Sequence, residues 1–80
     1  MEDKVEKKFY SINLVAFIYM IVKELPKAYK DDTGLIYFVY PDSTTINMLI
    51  NVYKRTKVQV DLHEYLLAFK QIRSLMANIK

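Results

Sequence analysis

Six consecutive residues, Leu35-Ile36-Tyr37-Phe38-Val39-Tyr40, are aliphatic or aromatic without a polar interruption. An extended strand turns successive side chains to opposite faces, so this run is apolar on both of them. Such a strand needs cover on each side, or it leaves one face to a partner. A chain of 80 residues forms one domain and buries only about 60–65% of the surface its unfolded form exposes. Double cover is therefore hard to provide from within.

The sequence around this run has readable punctuation. Residues 1–6 form a charged lead, and Lys8-Phe9-Tyr10 follows as a short strand. Ser11 or Asn13 is suited to cap a helix over Leu14 to Leu25, a segment apolar almost all round and closed by Lys23-Glu24 ahead of Pro26, since the residue before proline disfavours helix. Ala28-Tyr29-Lys30 and the central run flank Asp31-Asp32-Thr33-Gly34, a group of turn formers, and together read as a β-hairpin. Pro41 breaks the strand. Asp42 or Ser43 caps a second helix with Ile46, Leu49, Ile50 and Tyr53 on one stripe. Val58-Gln59-Val60 has the character of an added edge strand. Asp61 and Glu64 have capping-box spacing at the head of a third helix, whose stripe is Leu62, Tyr65, Leu66, Phe69, Ile72, Met76 and Ile79. Opposite it lie His63, Lys70, Ser74 and Asn78, with Leu67 among them. The order β-α-β-β-α-(β)-α defines a small α+β domain spanning residues 1–80, with helices on one face of a short, mainly antiparallel sheet.

Most chemistry can be weighed and set aside. There is no cysteine, which removes disulfides, thiolate metal sites and cysteine nucleophiles. Asp32-Thr33-Gly34 matches the tripeptide of aspartic proteases. Here it follows Tyr29-Lys30-Asp31 instead of an apolar strand, and Gly34 is the chain's one glycine, so a turn is the better reading. His63-Glu64 resembles the opening of a zinc-protease helix, but Leu67 stands where the second histidine would be. One glycine builds no phosphate-cradling loop, and the paired carboxylates Asp31 and Asp32 belong to a solvated turn. A non-enzymatic protein is expected, with no metal, cofactor or small-molecule substrate. The longest apolar run, Leu14 to Val22, falls short of the roughly 20 residues a membrane-spanning helix needs. The mixed-charge start does not read as a cleavable signal, and a cytoplasmic location is expected.

Two kinds of binding surface remain. The formal net charge is +3, unevenly spread: residues 1–42 carry six lysines against seven acids, and residues 43–80 carry six Lys or Arg against two acids. Lys54, Arg55 and Lys57, with Lys70 and Arg73 on the next helix, are candidate phosphate contacts, and Tyr10, Tyr29 or Tyr37 on an open sheet face is a candidate base-stacking platform. The alternative explains more of the sequence. A strand apolar on both faces, an apolar first helix and Leu67 amount to more apolar surface than one small core hides. This points to a protein interface made by Tyr10, Tyr29, Leu35, Tyr37, Val39 and Leu67, facing another protein or a second copy.

The layout resembles a family of small uncharacterised domains of low-GC bacteria and their phages. The resemblance is carried by the segment from Lys8 to Phe17, by Tyr37-Phe38-Val39-Tyr40-Pro41-Asp42, and by Val58-Gln59-Val60-Asp61 leading the last helix. The chain departs from it between Lys23 and Lys30, where a glycine is expected and Leu25-Pro26 stands. The resemblance implies a fold and a mobile-element origin, with no catalytic residues to carry over; proteins of that size and style act as inhibitors or adaptors on host or defence-system surfaces.

Overall fold

The computed structural model of the chain describes residues 6–55 and 60–79. Along them run β1 (Glu6–Phe9), α1 (Ile12–Val22), β2 (Lys27–Lys30), β3 (Ile36–Pro41), α2 (Thr44–Arg55) and α3 (Leu62–Ala77). This is the expected small α+β fold. β3 occupies the centre of a three-stranded sheet, antiparallel to β1 on one side and β2 on the other. The most apolar strand thus takes the position flanked on both edges. The strand expected at 58–60 lies mostly outside the described residues, and Val60 itself is not in a strand. Glu6, expected in the charged lead, pairs with Pro41 at the start of β1.

Register decides which side chains meet the helices. Phe9, Phe38 and Ala28 stand side by side across the sheet, and with Ile36 and Tyr40 they form its inner face. Val15, Ala16 and Ile18 of α1, Ile46 of α2 and Ile72 of α3 close over Phe9, Phe38 and Tyr40. A second cluster joins Phe17, Met20 and Ala68, with Tyr53 packed against it; the Phe17 and Tyr53 ring centroids are 5.5 Å apart. α1 is the element all the others pack around, which explains why its sequence is apolar almost all round.

Local chemistry sets the ends of the elements. The Ser11 hydroxyl accepts from the Leu14 amide at 3.3 Å, satisfying one of the amide donors left free at a helix start. α1 closes at the Lys23-Glu24 pair, as expected, and does not run on to Leu25. It ends at Lys23, whose φ of 62° is left-handed and whose amide donates to the Tyr19 carbonyl at 2.8 Å. A side chain in this conformation costs about 1–2 kcal/mol, which glycine avoids. In the β2–β3 hairpin the left-handed position is filled by Gly34, at φ 90°. Ser43 caps α2 by accepting from the Ile46 amide at 3.2 Å, and Asp61 caps α3 by accepting from the Glu64 amide at 3.0 Å.

α3 turns inward Tyr65, Phe69, Ile72 and Met76 of its expected stripe but not Leu62 and Leu66, and Ala68 and Leu75 pack in their place. Leu62 and Leu66 are 68% and 55% exposed, while Ala68 and Ile72 are buried and Tyr65, Phe69, Leu75 and Met76 pack beside them. Both sets have helical spacing. The set containing Ala68 prevails because a small side chain lets the α3 backbone approach α1 closely, and the Tyr65 hydroxyl then donates to the Asn13 carbonyl at 3.2 Å. α2 keeps its expected stripe, with Ile46 buried and Leu49, Ile50 and Tyr53 partly so.

Two substitutions test this architecture by chemical denaturation. Phe38→Ala, at a fully buried central position, should cost about 3–5 kcal/mol, close to the whole stability of a domain this small. Lys23→Gly should stabilise by up to about 1 kcal/mol, because it relieves the left-handed conformation.

Candidate functional site

The helices occupy one side of the sheet. Among the described residues no helix or strand packs on the other, outer face. Strand alternation and register lay this face out in rows across the strands. Lys8, Val39 and Lys27 form one row and Tyr37 pairs with Tyr29 in the next, with Tyr10 beside Tyr37 on the β1 side. Leu35 lies beyond the tyrosines, towards the hairpin. Glu6 and Pro41 lie beyond the lysines.

The three tyrosines make a continuous row. The Tyr10 and Tyr37 ring centroids are 5.8 Å apart with the planes at 46°, and Tyr29 and Tyr37 are 5.6 Å apart at 31°. The Lys8 ammonium stands 5.0 Å from the centre of the Tyr37 ring, a cation–π contact. Tyr37 is half-buried by its neighbours, whereas Tyr10 and Tyr29 remain 52% and 45% exposed. Val39 is only 6% exposed although it lies on the outer face, because it is flanked in register by two lysines whose aliphatic stems cover apolar neighbours. At this end Leu25, Val39 and Pro41, with Glu6, Glu24 and Lys27, line a groove of about 290 Å³.

Asp31 anchors the aromatic end. Its Oδ1 accepts from the Thr33 hydroxyl at 2.6 Å, the Thr33 amide at 2.9 Å and the Leu35 amide at 3.0 Å. Its Oδ2 accepts from the Tyr10 hydroxyl at 3.1 Å. The Thr33 hydroxyl bond, joined by the two amides and Tyr10, holds the Asp31 carboxyl below the usual aspartate range. The same contact raises Tyr10, whose hydroxyl would lose its acceptor and meet a like charge on ionising. Asp31 thus ties the hairpin tip to the segment after β1. Asp32, the carboxylate of the protease-like tripeptide, is exposed in the turn. At the opposite end the Tyr40 hydroxyl donates to the Glu24 carbonyl at 3.0 Å. Burial drives its pKa up, aided by the nearby Tyr19 and Glu24.

The fold brings together five of the six residues expected at a protein interface: Tyr10, Tyr29, Leu35, Tyr37 and Val39. Leu67 is separate, exposed on α3 in the helical layer. The expectation that the central strand is apolar on two faces holds, but the faces differ in kind, one dry and aliphatic-aromatic, the other a tyrosine row with lysines. The candidate phosphate contacts are not on this face. Lys54 and Arg55 are exposed at the end of α2, Lys70 and Arg73 are exposed on α3, and Lys57 lies outside the described residues. Lys8, Lys27, Leu25 and Pro41 belong to the face and were not singled out by sequence pattern. The alternation of Lys8 and Lys27 with inward residues becomes informative only once their pairing with Val39 is known.

The model of a domain of unknown function, DUF5659, matches residues 4–78. The chain belongs to that family of small domains. Comparison with curated proteins and with solved structures gives no match. No helix among the described residues is long and apolar enough to cross a membrane.

Asp31→Asn should leave the fold intact and bring the Tyr10 phenol back towards the ordinary tyrosine range, read by NMR titration. In the native protein the depressed Asp31 pKa makes its contribution complete above the pKa of an unfolded aspartate and lost as pH falls through the folded value. The Tyr10 ring contacts should therefore loosen in acid in the native protein, and independently of acid in Asp31→Asn.

Proposed function

We propose that the chain is a non-enzymatic binding module that docks protein on the outer face of its sheet. The observation that carries this reading is the row of Tyr10, Tyr37 and Tyr29 on a face no helix covers, with Leu35 on one side of it and Val39 on the other. Tyrosine supplies large contact area with a polar tip and is enriched at protein interfaces. Occupying another protein's surface in the cytoplasm, as an inhibitor or adaptor of a phage or mobile element does, is the kind of role we attach to it.

Two features favour protein over a nucleic-acid strand. A base-stacking platform needs an open ring face, but Tyr37 is flanked by two rings with a lysine above it, and Tyr10 is held by a carboxylate. The face also carries no net positive charge, Lys8 and Lys27 standing against Glu6, Glu24 and Asp31, whereas phosphate binding rests on net positive surface. The basic residues Lys54, Arg55, Lys70 and Arg73 that a nucleic-acid accessory role would use are in the helical layer, away from the tyrosines.

The test places a benzophenone amino acid at position 29, or at position 70 as a control, and photo-crosslinks in producing cells. Protein adducts from position 29 and few from position 70 are expected. Fluorescence anisotropy with a mixed single-stranded oligonucleotide should show no binding that depends on Lys54 and Arg55. An oligonucleotide affinity lost in Lys54→Glu/Arg55→Glu, with no protein adduct at position 29, would overturn the reading.

A further inference from the structure

We infer that the occupant of the outer face is a second copy of the chain, packed sheet to sheet about a two-fold axis running across the strands between the lysine row and the tyrosine row. The inference rests on the reading of this face as a protein-docking surface and names the partner. Edge-to-edge association is disfavoured first. β1 and β2 are four residues long and each carries two lysines, Lys7 and Lys8, Lys27 and Lys30, the short charged edges that block strand addition.

Face-to-face packing has two simple two-fold arrangements, and charge chooses between them. An axis along β3 sets Lys8 against the second copy's Lys27 at two places, and like charges in apposition oppose association. An axis across the strands reverses the order of rows. Lys8 then meets Tyr10 of the second copy, Lys27 meets its Tyr29, and Val39 meets its Tyr37. The pairing of lysine with tyrosine is one the chain already makes internally, between Lys8 and Tyr37. Two rows out from the axis, the groove whose apolar wall is Leu25, Val39 and Pro41, with Glu6, Glu24 and Lys27 around it, faces the second copy's Leu35, a residue left 59% exposed. Each copy thus supplies a knob and a groove to the other, the self-complementarity a two-fold interface requires.

Area sets the strength. With a tyrosine offering on the order of 200 Å² in full, the exposed parts of Tyr10, Tyr29, Leu25 and Leu35, with Lys8, Lys27 and Pro41 around them, amount to roughly 500–600 Å² per copy. Complete burial of these parts on both copies removes about 1,100 Å², only just above the ~1,000 Å² a specific interface must clear. The dimer is therefore dissociable and concentration-dependent.

Sedimentation velocity between about 10 μM and about 1 mM, the range in which such weak association registers, should show the mass rising from the 9.5 kDa of one chain towards twice that value. Leu35→Asp, which brings a carboxylate to a groove holding Glu6 and Glu24, should abolish the rise. Tyr29→Lys should weaken association at least about tenfold by facing Lys27, while Tyr29→Glu retains it and Tyr29→Lys/Lys27→Glu restores it. All these positions are exposed, and circular dichroism checks that each variant is folded. A monomer at every concentration, or a dimer indifferent to Leu35→Asp and to both Tyr29 variants, would overturn the inference. A monomer that still crosslinks to another protein from position 29 removes only the second copy; a monomer with no adduct removes the docking face as well.

Discussion

Everything in this fold depends on how β3 is covered. Its central position gives Phe38 and Val39 a backbone partner on each edge and the rest of the strand one on at least one edge, so most of its main-chain groups are met within the sheet. Its side chains have no such symmetry. The described residues form three helices, all on the inner face, where Phe38 is shut from solvent among Val15, Ile18, Ile46 and Ile72. Once those helices are placed, the described chain has no further element with which to cover the outer face. The surface-to-volume limit of a small domain thus becomes a structural asymmetry.

The outer face deals with that asymmetry through side chains. Lys8 and Lys27 flank Val39, which is almost shut from solvent, and the three tyrosines cover part of one another, while Leu25 and Leu35 stay more than half exposed at the two ends. With their neighbours they form a surface that is aromatic, mixed in charge without a positive excess, and grooved at one end. These properties suit contact with protein better than contact with phosphate. The hydrogen bonds at its borders, Asp31 to Tyr10 and Tyr40 to the Glu24 carbonyl, join the ends of the face to the loops that enter and leave the sheet. Its shape is set by connections that are otherwise ordinary turns.

How far the sequence could be read varied with the kind of signal. Caps and turns were legible because they act within four residues: Ser11, Ser43, Asp61 and Gly34 each do what their type and position suggest. The α2 stripe was legible because one set of apolar positions had no competitor. α3 carried two overlapping sets, and hydrophobicity alone favoured Leu62 and Leu66. Packing kept Tyr65, Phe69, Ile72 and Met76 of the expected stripe and took Ala68 in place of those two leucines, because closeness to α1 mattered more than side-chain size. The Lys23-Glu24 pair ahead of Pro26 marked where α1 ends; that Lys23 itself takes the left-handed conformation was not legible, because a lysine rarely adopts positive φ and nothing local identifies it as the residue that will.

The candidate site shows the same division. That Tyr10, Tyr29, Leu35, Tyr37 and Val39 are surplus to one small core follows from composition and alternation, which are local properties of the chain. That they form rows, with Lys8 and Lys27 beside Val39 and the basic helix residues in another layer, follows from strand order and register. Those are settled between segments some thirty residues apart. Sequence by itself determined the elements, their caps and the excess of apolar surface, because these rest on short-range periodicity and backbone preference. Tertiary structure alone decided which face stayed open and which charges it holds, because one residue of register reverses every side chain of a strand.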